Sequence, residues 1–359
     1  METQPLIGLE RSEKQQKPWM PRRVLFTPDA LEEGYGREIL ERAERLNIPV
    51  EIMTSNRITG LRGADERETY RLAKTTLAII KAPPSQLKLQ PIPPSADWQF
   101  HLAQGCPAHC HYCYLAGSLS GPPVIRAYAN LPEILENLPN YIQPGKLTTF
   151  EASCYTDPLS IEHLTGGLQK TIEFFGTLPD AQLRFVTKFT AVDQLLQVPH
   201  NGHTRSRISI NAPEVARRLE GGVPKVEARI AALRKLALPR SEGGGAYPIG
   251  VVLAPIMPIP DWELHYTALL DQLADALAFA PDITFELITH RFTEGSRDLL
   301  QQWYPNTSLD MSEANRTKKF NKFGGTKYVF EKGIMQQLKS FFHEGIKSRL
   351  PHAQILYWT

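Results

Sequence analysis

Three of the four cysteines in this chain, Cys106, Cys110 and Cys113, stand within eight residues, in the run Gly105-Cys106-Pro107-Ala108-His109-Cys110-His111-Tyr112-Cys113-Tyr114. The spacing is C-x3-C-x2-C. Whatever fold forms must hold that loop tight over one centre. The three thiolates suit three irons of a cubane [4Fe–4S] cluster, which normally takes four cysteine ligands. A three-cysteine set leaves one iron open to a small molecule. A structural zinc site is the competing reading. Such sites usually add a second Cys or His pair farther along. Here His109 and His111 lie inside the loop, where four ligands would be cramped, and Cys154 is alone. A disulfide scaffold does not fit, because four cysteines in 359 residues are too sparse.

The rest of the chain reads as α/β. Segments rich in apolar and β-branched residues recur at Trp98–Leu102, Thr148–Ala152, Gln182–Thr187, Arg205–Ile210, Ile249–Leu253 and Ile283–Leu287. Most are separated by helical periodicity, clearest at Ile161, Leu164, Leu168, Ile172 and Phe175. Alternating strands and helices predict a parallel sheet. Six strands suit a partial (β/α)6 TIM-like barrel rather than a closed barrel of eight. The cysteine loop follows the first of them, at the C-terminal end of the strands, where such folds build their sites. Residues 1–20 read as a flexible leader. Residues 21–95 read as a small α/β extension ending in a proline-rich connector, 96–290 as the partial barrel, and 291–359 as a C-terminal region with a hairpin and helix.

Hydrophobic residues make up 42% and charged residues 22%, an ordinary globular balance. No apolar run is long enough to cross a membrane, and the polar N-terminus lacks the apolar core of a signal peptide. A cytoplasmic setting is expected, which also suits an oxygen-sensitive cluster. The net charge of +2 does not by itself call for a nucleic-acid partner.

Cys154 lies in Phe150-Glu151-Ala152-Ser153-Cys154-Tyr155-Thr156-Asp157-Pro158, just after the second strand candidate. It therefore belongs at the same mouth as the cysteine loop. Two readings stand: a buried cysteine acting as a small hydrophobe, or a thiol whose weak S–H bond gives a hydrogen atom to a carbon radical.

These segments together resemble the spore photoproduct lyase family of the radical S-adenosylmethionine (SAM) superfamily. The resemblance rests on GCPAHCHYCYL and FEASCYTDP. It extends to Leu183–Lys188, Arg207–Asn211, Phe285–Phe292 and Lys327–Val329. It implies a DNA-repair lyase on a barrel of the radical SAM type, with Cys106, Cys110 and Cys113 holding a [4Fe–4S] cluster. SAM would complete the fourth iron, with contacts at Thr156 (usually serine in the family), Lys188 and Ser209. An external electron donor would reduce the cluster, and SAM would be cleaved to a 5′-deoxyadenosyl radical. That radical would take a hydrogen from C6 of spore photoproduct, a thymine dimer, whose methylene bridge then breaks. Cys154 would give a hydrogen atom to the thymine methyl radical. Tyr112 and Tyr114 would quench the thiyl radical, and SAM would be regenerated. From the residues alone, Lys188 also reads as a solvated charge at a strand end, and the two tyrosines as packing around the loop.

A lesion in a duplex must be unstacked before chemistry can reach it. Cations for phosphates and apolar wedges for base steps serve that need. Residues 316–330 mix both, and the resemblance places a lesion-contacting hairpin there. The implied DNA contacts are His290, Arg291, Lys322, Phe323, Lys327 and Tyr328. An ordinary basic surface hairpin is the alternative. The family's Arg-Tyr pair is Lys322-Phe323 here, so the fork of the guanidinium and the phenol hydroxyl are lost. Tyr155 and Pro158 also depart from the family near the thiol. A related lesion or nucleoside is thus a second substrate class. A non-catalytic nucleic-acid-binding protein with a structural metal is the third reading.

Overall fold

The computed structural model describes residues 17–320 and 325–359. Its main sheet has eight strands lying side by side in chain order: β1 (Gln90–Ile92), β2 (Ala96–Phe100), β3 (Thr148–Ala152), β4 (Ala181–Thr187), β5 (Thr204–Ile210), β6 (Ile249–Ile256), β7 (Ile283–Thr289) and β8 (Gln354–Trp358). From β2 to β8 every neighbouring pair is parallel, and β1 returns antiparallel on β2. The six strands expected from sequence are β2–β7, with β2 starting and ending two residues early. The edge strand β8 is an addition. The sheet is open, since β1 and β8 do not pair.

The helices Gly167–Phe175, Val226–Ala237, Trp262–Leu277 and Lys332–Arg349 fill the crossovers β3–β4, β5–β6, β6–β7 and β7–β8. They bury Leu168, Ile172, Leu233, Leu236, Leu269, Leu273, Leu338 and Phe342. The connection from β4 to β5 is shorter and holds only a single-turn 3-10 helix, Asp193–Leu195.

The concave face carries charge where an apolar filling would be usual. Glu151 of β3, Arg184 of β4, Arg207 of β5 and Glu286 of β7 are all buried. Arg207 donates to both Glu286 oxygens at 2.8 Å and to Glu151. Arg184 and the Tyr357 hydroxyl also donate to Glu286. Gly250 of β6 lies between Arg207 and Thr284 in the register. A Cβ there would come within 2.7 Å of the Arg207 side chain, so glycine leaves the space through which Arg207 crosses to β7.

A second sheet pairs Val50–Ile52, Arg23–Phe26 and Thr76–Ile80 in parallel. Two strands from beyond the proline-rich connector complete it: Ile125–Tyr128, parallel to Thr76–Ile80, and Ala103–Gln104, antiparallel to Ile125–Tyr128. The cysteine loop is thereby slung between β2 of one sheet and Ala103–Gln104 and Ile125–Tyr128 of the other. Among the described residues no helix is long and apolar enough to cross a membrane.

Removing one member of a buried ion network leaves its partners charged and dry. Glu286→Leu should therefore cost about 3–5 kcal/mol, read as a lowered urea midpoint at unchanged slope.

Candidate active site

Main-chain hydrogen bonds bring two loops together at the C-terminal end of the barrel strands. Gly105 N–H donates to Tyr155 O at 2.7 Å, and the Thr156 hydroxyl donates to Gly105 O. Gly105 has φ +81°, and a Cβ there would lie 2.4 Å from Val124 O, so only glycine makes this approach. On the other loop Ser153 takes φ +60°, unusual for a residue with a Cβ. Its N–H donates to Phe100 O at 2.8 Å, and its hydroxyl accepts from Leu102 N at 3.0 Å. Those bonds hold the turn that carries Cys154, Tyr155 and Thr156.

Cys106, Cys110, Cys113 and Cys154 are all free thiols; Cys110 is buried and the others half-buried. Burial pushes the Cys106 thiol up to about 12, with the Lys74 ammonium pulling against it. Burial also pushes Cys110 up, against the pull of Lys188. Among the described residues no group of three His, Cys, Asp or Glu is arranged to hold a single metal ion. A cubane makes a different demand, because each thiolate binds its own iron and the sulfurs stand farther apart. The donor set fits such a cluster: three thiols within eight residues of one loop, with the Lys74 and Lys188 ammonium groups pulling the Cys106 and Cys110 thiols towards their charged forms.

The strand pair His109–Cys110 and Glu220–Gly221 pins the middle of the loop. It also delivers Glu220, a buried carboxylate with no local sequence signal. Glu220 pairs with Arg229 at 2.6 Å and with Lys188 at 3.4 Å, and accepts from the Tyr112 hydroxyl. Burial alone would raise its pKa; Lys188 and Arg229 overcome that and hold it below the usual carboxylate range. Lys188, at the end of β4, reaches Ser209 Oγ at 2.7 Å and lies 5.7 Å from the centre of the Tyr112 ring. Asp157 ties the thiol loop to the same strand end. It accepts from Thr187 Oγ1 at 2.6 Å and Lys188 N at 2.7 Å, and burial pushes its carboxyl up to about 6. Thr156, Lys188, Ser209 and Tyr112 are therefore tied to the cysteine loop directly or through Glu220 and Asp157.

The Tyr114 hydroxyl donates to Cys154 O, and the residue as a whole is 61% exposed. Burial, followed by the Glu151 carboxylate, pushes the Cys154 thiol up, so it remains S–H at neutral pH. The concave-face charges thus reach the thiol from behind.

A family model described as spore photoproduct lyase matches residues 19–359. The chain belongs to the spore photoproduct lyase family. It is 39% identical over 348 residues to a spore photoproduct lyase of Geobacillus sp. (strain Y412MC61), covering 96% of this chain and 100% of that one. It is 38% identical over 349 residues to that of Bacillus subtilis (strain 168), with the same coverage. A solved structure of a mutant spore photoproduct lyase with bound AdoMet and dinucleoside spore photoproduct superposes with a TM-score of 0.90 at 39% identity, covering 96% of this chain and all of that chain. Another, complexed with dinucleoside spore photoproduct, gives 0.89. Spore photoproduct lyases are radical SAM enzymes, and the curled half-barrel seen here is their architecture.

The C-terminal hairpin pairs Thr317–Phe320 with Thr326–Val329. Lys319 stands directly opposite Lys327, and Phe320 is 78% exposed. Like charges facing each other weaken a strand pair. Burial, with Arg291 and Lys319 nearby, lowers the Lys327 pKa. His290 and Tyr328 lie beneath this surface, both buried. Tyr328 stacks on Phe292 at 5.2 Å and donates to Glu294 at 2.9 Å. His290 meets Arg316, whose guanidinium lies 3.7 Å from the centre of the Phe330 ring. Lys322 and Phe323 fall outside the described residues. A cavity of about 310 Å³ adjoins this region, lined by Leu219, Met257, Arg316 and Phe330 among others.

Two buried histidines give this site a pH signature. Burial pushes His101, stacked on Tyr155, down to about 4, and burial with Arg316 pushes His290 down to about 3. An unfolded histidine titrates near ~6.5. Below that pH the unfolded chain binds protons that the folded chain refuses. Their contribution is whole above about pH 6.5 and falls away as the pH drops towards about 4 for His101 and about 3 for His290. His101→Phe should flatten the acid side of a stability–pH curve by roughly 2–3 kcal/mol between pH 7 and 4, measured by urea unfolding.

Proposed function

We propose that this chain is a radical SAM carbon–carbon lyase that returns spore photoproduct in DNA to two thymines. The observation that carries the proposal is the joining of the cysteine loop to the Cys154 turn, Gly105 to Tyr155 and Thr156, above the Lys188–Ser209 pair. Cys106, Cys110 and Cys113 would hold the cluster. With SAM bound, that cluster supplies radical-generating chemistry, using one electron from a low-potential donor.

The chain's own groups do the rest. The Lys188 ammonium and Ser209 hydroxyl, 2.7 Å apart, would take the SAM carboxylate through charge-assisted hydrogen bonds. Glu220 keeps Lys188 in place. Thr156, now bonded to Gly105 O, offers a further hydroxyl beside the loop. Cys154 acts as a hydrogen-atom donor. Its S–H bond breaks homolytically, a C–H bond forms on the thymine methyl carbon, and one electron stays on sulfur. A tyrosine O–H then returns a hydrogen atom to that sulfur, and the phenoxyl radical left behind would recover its hydrogen from the 5′-deoxyadenosine formed when SAM was cleaved. The contact of the Tyr114 hydroxyl with the Cys154 carbonyl supports that role for Tyr114, and Tyr112, bonded to Glu220, is the second candidate. A thiolate could not play the donor's part, so the raised pKa of Cys154 suits the role.

Lys319, Lys327 and Arg291 would meet DNA phosphates, which remove the repulsion across the hairpin, and Phe320 is available as an apolar wedge. His290 and Tyr328 would support that surface from below. The Lys322-Phe323 replacement favours one second reading, a related thymine lesion worked by the same machinery.

The test is anaerobic turnover with reconstituted protein, reductant, SAM and dinucleoside spore photoproduct. Thymidylyl-thymidine should form, and Cys154→Ala should divert most of the product to adducts of the unquenched thymine radical. SAM cleavage without repair would reject this lesion in favour of a related one. Neither reaction, with a verified cluster, would sink the proposal.

A further inference from the structure

The second sheet carries a helix that grips the cysteine loop. Tyr70 and Lys74 lie four residues apart on the helix Glu66–Lys74, so they share one face. The Tyr70 hydroxyl meets His109 Nδ1 at 2.8 Å. The Lys74 ammonium donates to two carbonyl oxygens of the loop, Cys106 O and Ala108 O. Behind them Tyr70 packs on Trp303, with ring centres 4.8 Å apart, and its hydroxyl meets that of Tyr304.

Lys74 is only 6% exposed. Its ammonium also lies 5.6 Å from the centre of the Tyr70 ring. Other buried or half-buried cations here face carboxylates: Arg207 and Arg184 face Glu286, and Arg229 and the half-buried Lys188 face Glu220. Among the described residues no carboxylate forms an ion pair with Lys74. A buried charge met by carbonyl dipoles and an aromatic ring but paired with no carboxylate is costly, and a nearby anion repays the cost. The anions this loop can present are its three thiolates.

We infer that Lys74 is the counter-cation of the cysteine loop, a positioning residue that raises the reduction potential of a cluster bound there. The inference rests on the cluster reading of Cys106, Cys110 and Cys113. An oxidised [4Fe–4S] core with three thiolates carries one net negative charge. One-electron reduction by an external low-potential donor adds a second, with no bond broken and no proton moved. A fixed positive charge stabilises the doubly charged state more than the singly charged one, and burial weakens the screening.

The experiment compares wild type with Lys74→Gln, Lys74→Met and Lys74→Arg after anaerobic reconstitution, without SAM. Iron and sulfide per chain are counted, folding is followed by circular dichroism, and the midpoint potential is read by redox titration monitored by electron paramagnetic resonance. Glutamine keeps an N–H donor for the two carbonyls but no charge, so it separates electrostatics from loop support. The reduction equilibrium should become about tenfold less favourable in the Gln and Met variants, a ~59 mV fall for a one-electron couple, and Arg should restore it. A folded Gln variant that loses its iron while the Arg variant loads normally would support the same role. If the Met variant does not fold, the Gln variant decides. Uncharged variants that load fully and titrate at the wild-type potential would overturn the inference. A wild-type chain that takes up no iron or sulfide would instead remove the cluster reading and this inference with it.

Discussion

Two bonds at one glycine hold the site together. Gly105 donates to Tyr155 and accepts from Thr156, so the cysteine loop and the Cys154 turn cannot move independently. The spacing of thiols, hydroxyls and phenols around them follows from that junction. Its backbone cost is visible in the positive φ at Ser153, whereas Gly105 takes its positive φ without a Cβ clash. Ser153 sustains it because its N–H is anchored to Phe100 at the end of β2 and its hydroxyl to Leu102 just beyond. Strain of this kind persists where surrounding bonds over-determine it.

The two sheets serve this junction from opposite sides. The parallel barrel delivers Cys154, Asp157, Lys188 and Ser209 at successive strand ends, a consequence of every strand from β2 onward running the same way. Its concave face is charged, and the Glu151–Arg207 pair lies close enough to the thiol to influence its ionisation. The smaller sheet supplies Tyr70 and Lys74 from behind the cysteines. Its strands Ala103–Gln104 and Ile125–Tyr128 bracket the loop in sequence, so the loop is fixed at both ends before any ligand binds.

The parts of this architecture that sequence discloses are those written in local patterns. Strands β4, β6 and β7 are short runs rich in Val, Ile, Leu and Phe, β3 and β5 are shorter on apolar residues but rich in β-branched ones, and the cysteine spacing lies within eight residues. β8 is harder to see: Gln354–Trp358 is half-buried at an edge and follows a hairpin and a long helix rather than another β–α repeat. Arg207 gives no sign of its burial, because its partners lie 56 and 79 positions away. Glu220 and Lys74 are invisible for the same reason. Their importance comes from contacts between elements, and neither sits in a spacing that chemistry demands. Tyr70 and Lys74 stand at i and i+4 of one helix, a pattern that most helices show without consequence.

The central claim is that the three-cysteine loop holds a cluster with one iron open to SAM, above Lys188 and Ser209. Electron–nuclear double resonance on the reduced, reconstituted protein tests it most directly, using SAM labelled with oxygen-17 in its carboxylate. The account predicts a strong hyperfine coupling that appears with labelled SAM and is lost in Lys188→Met. A cluster signal that SAM leaves unchanged, with no oxygen-17 coupling, would contradict it.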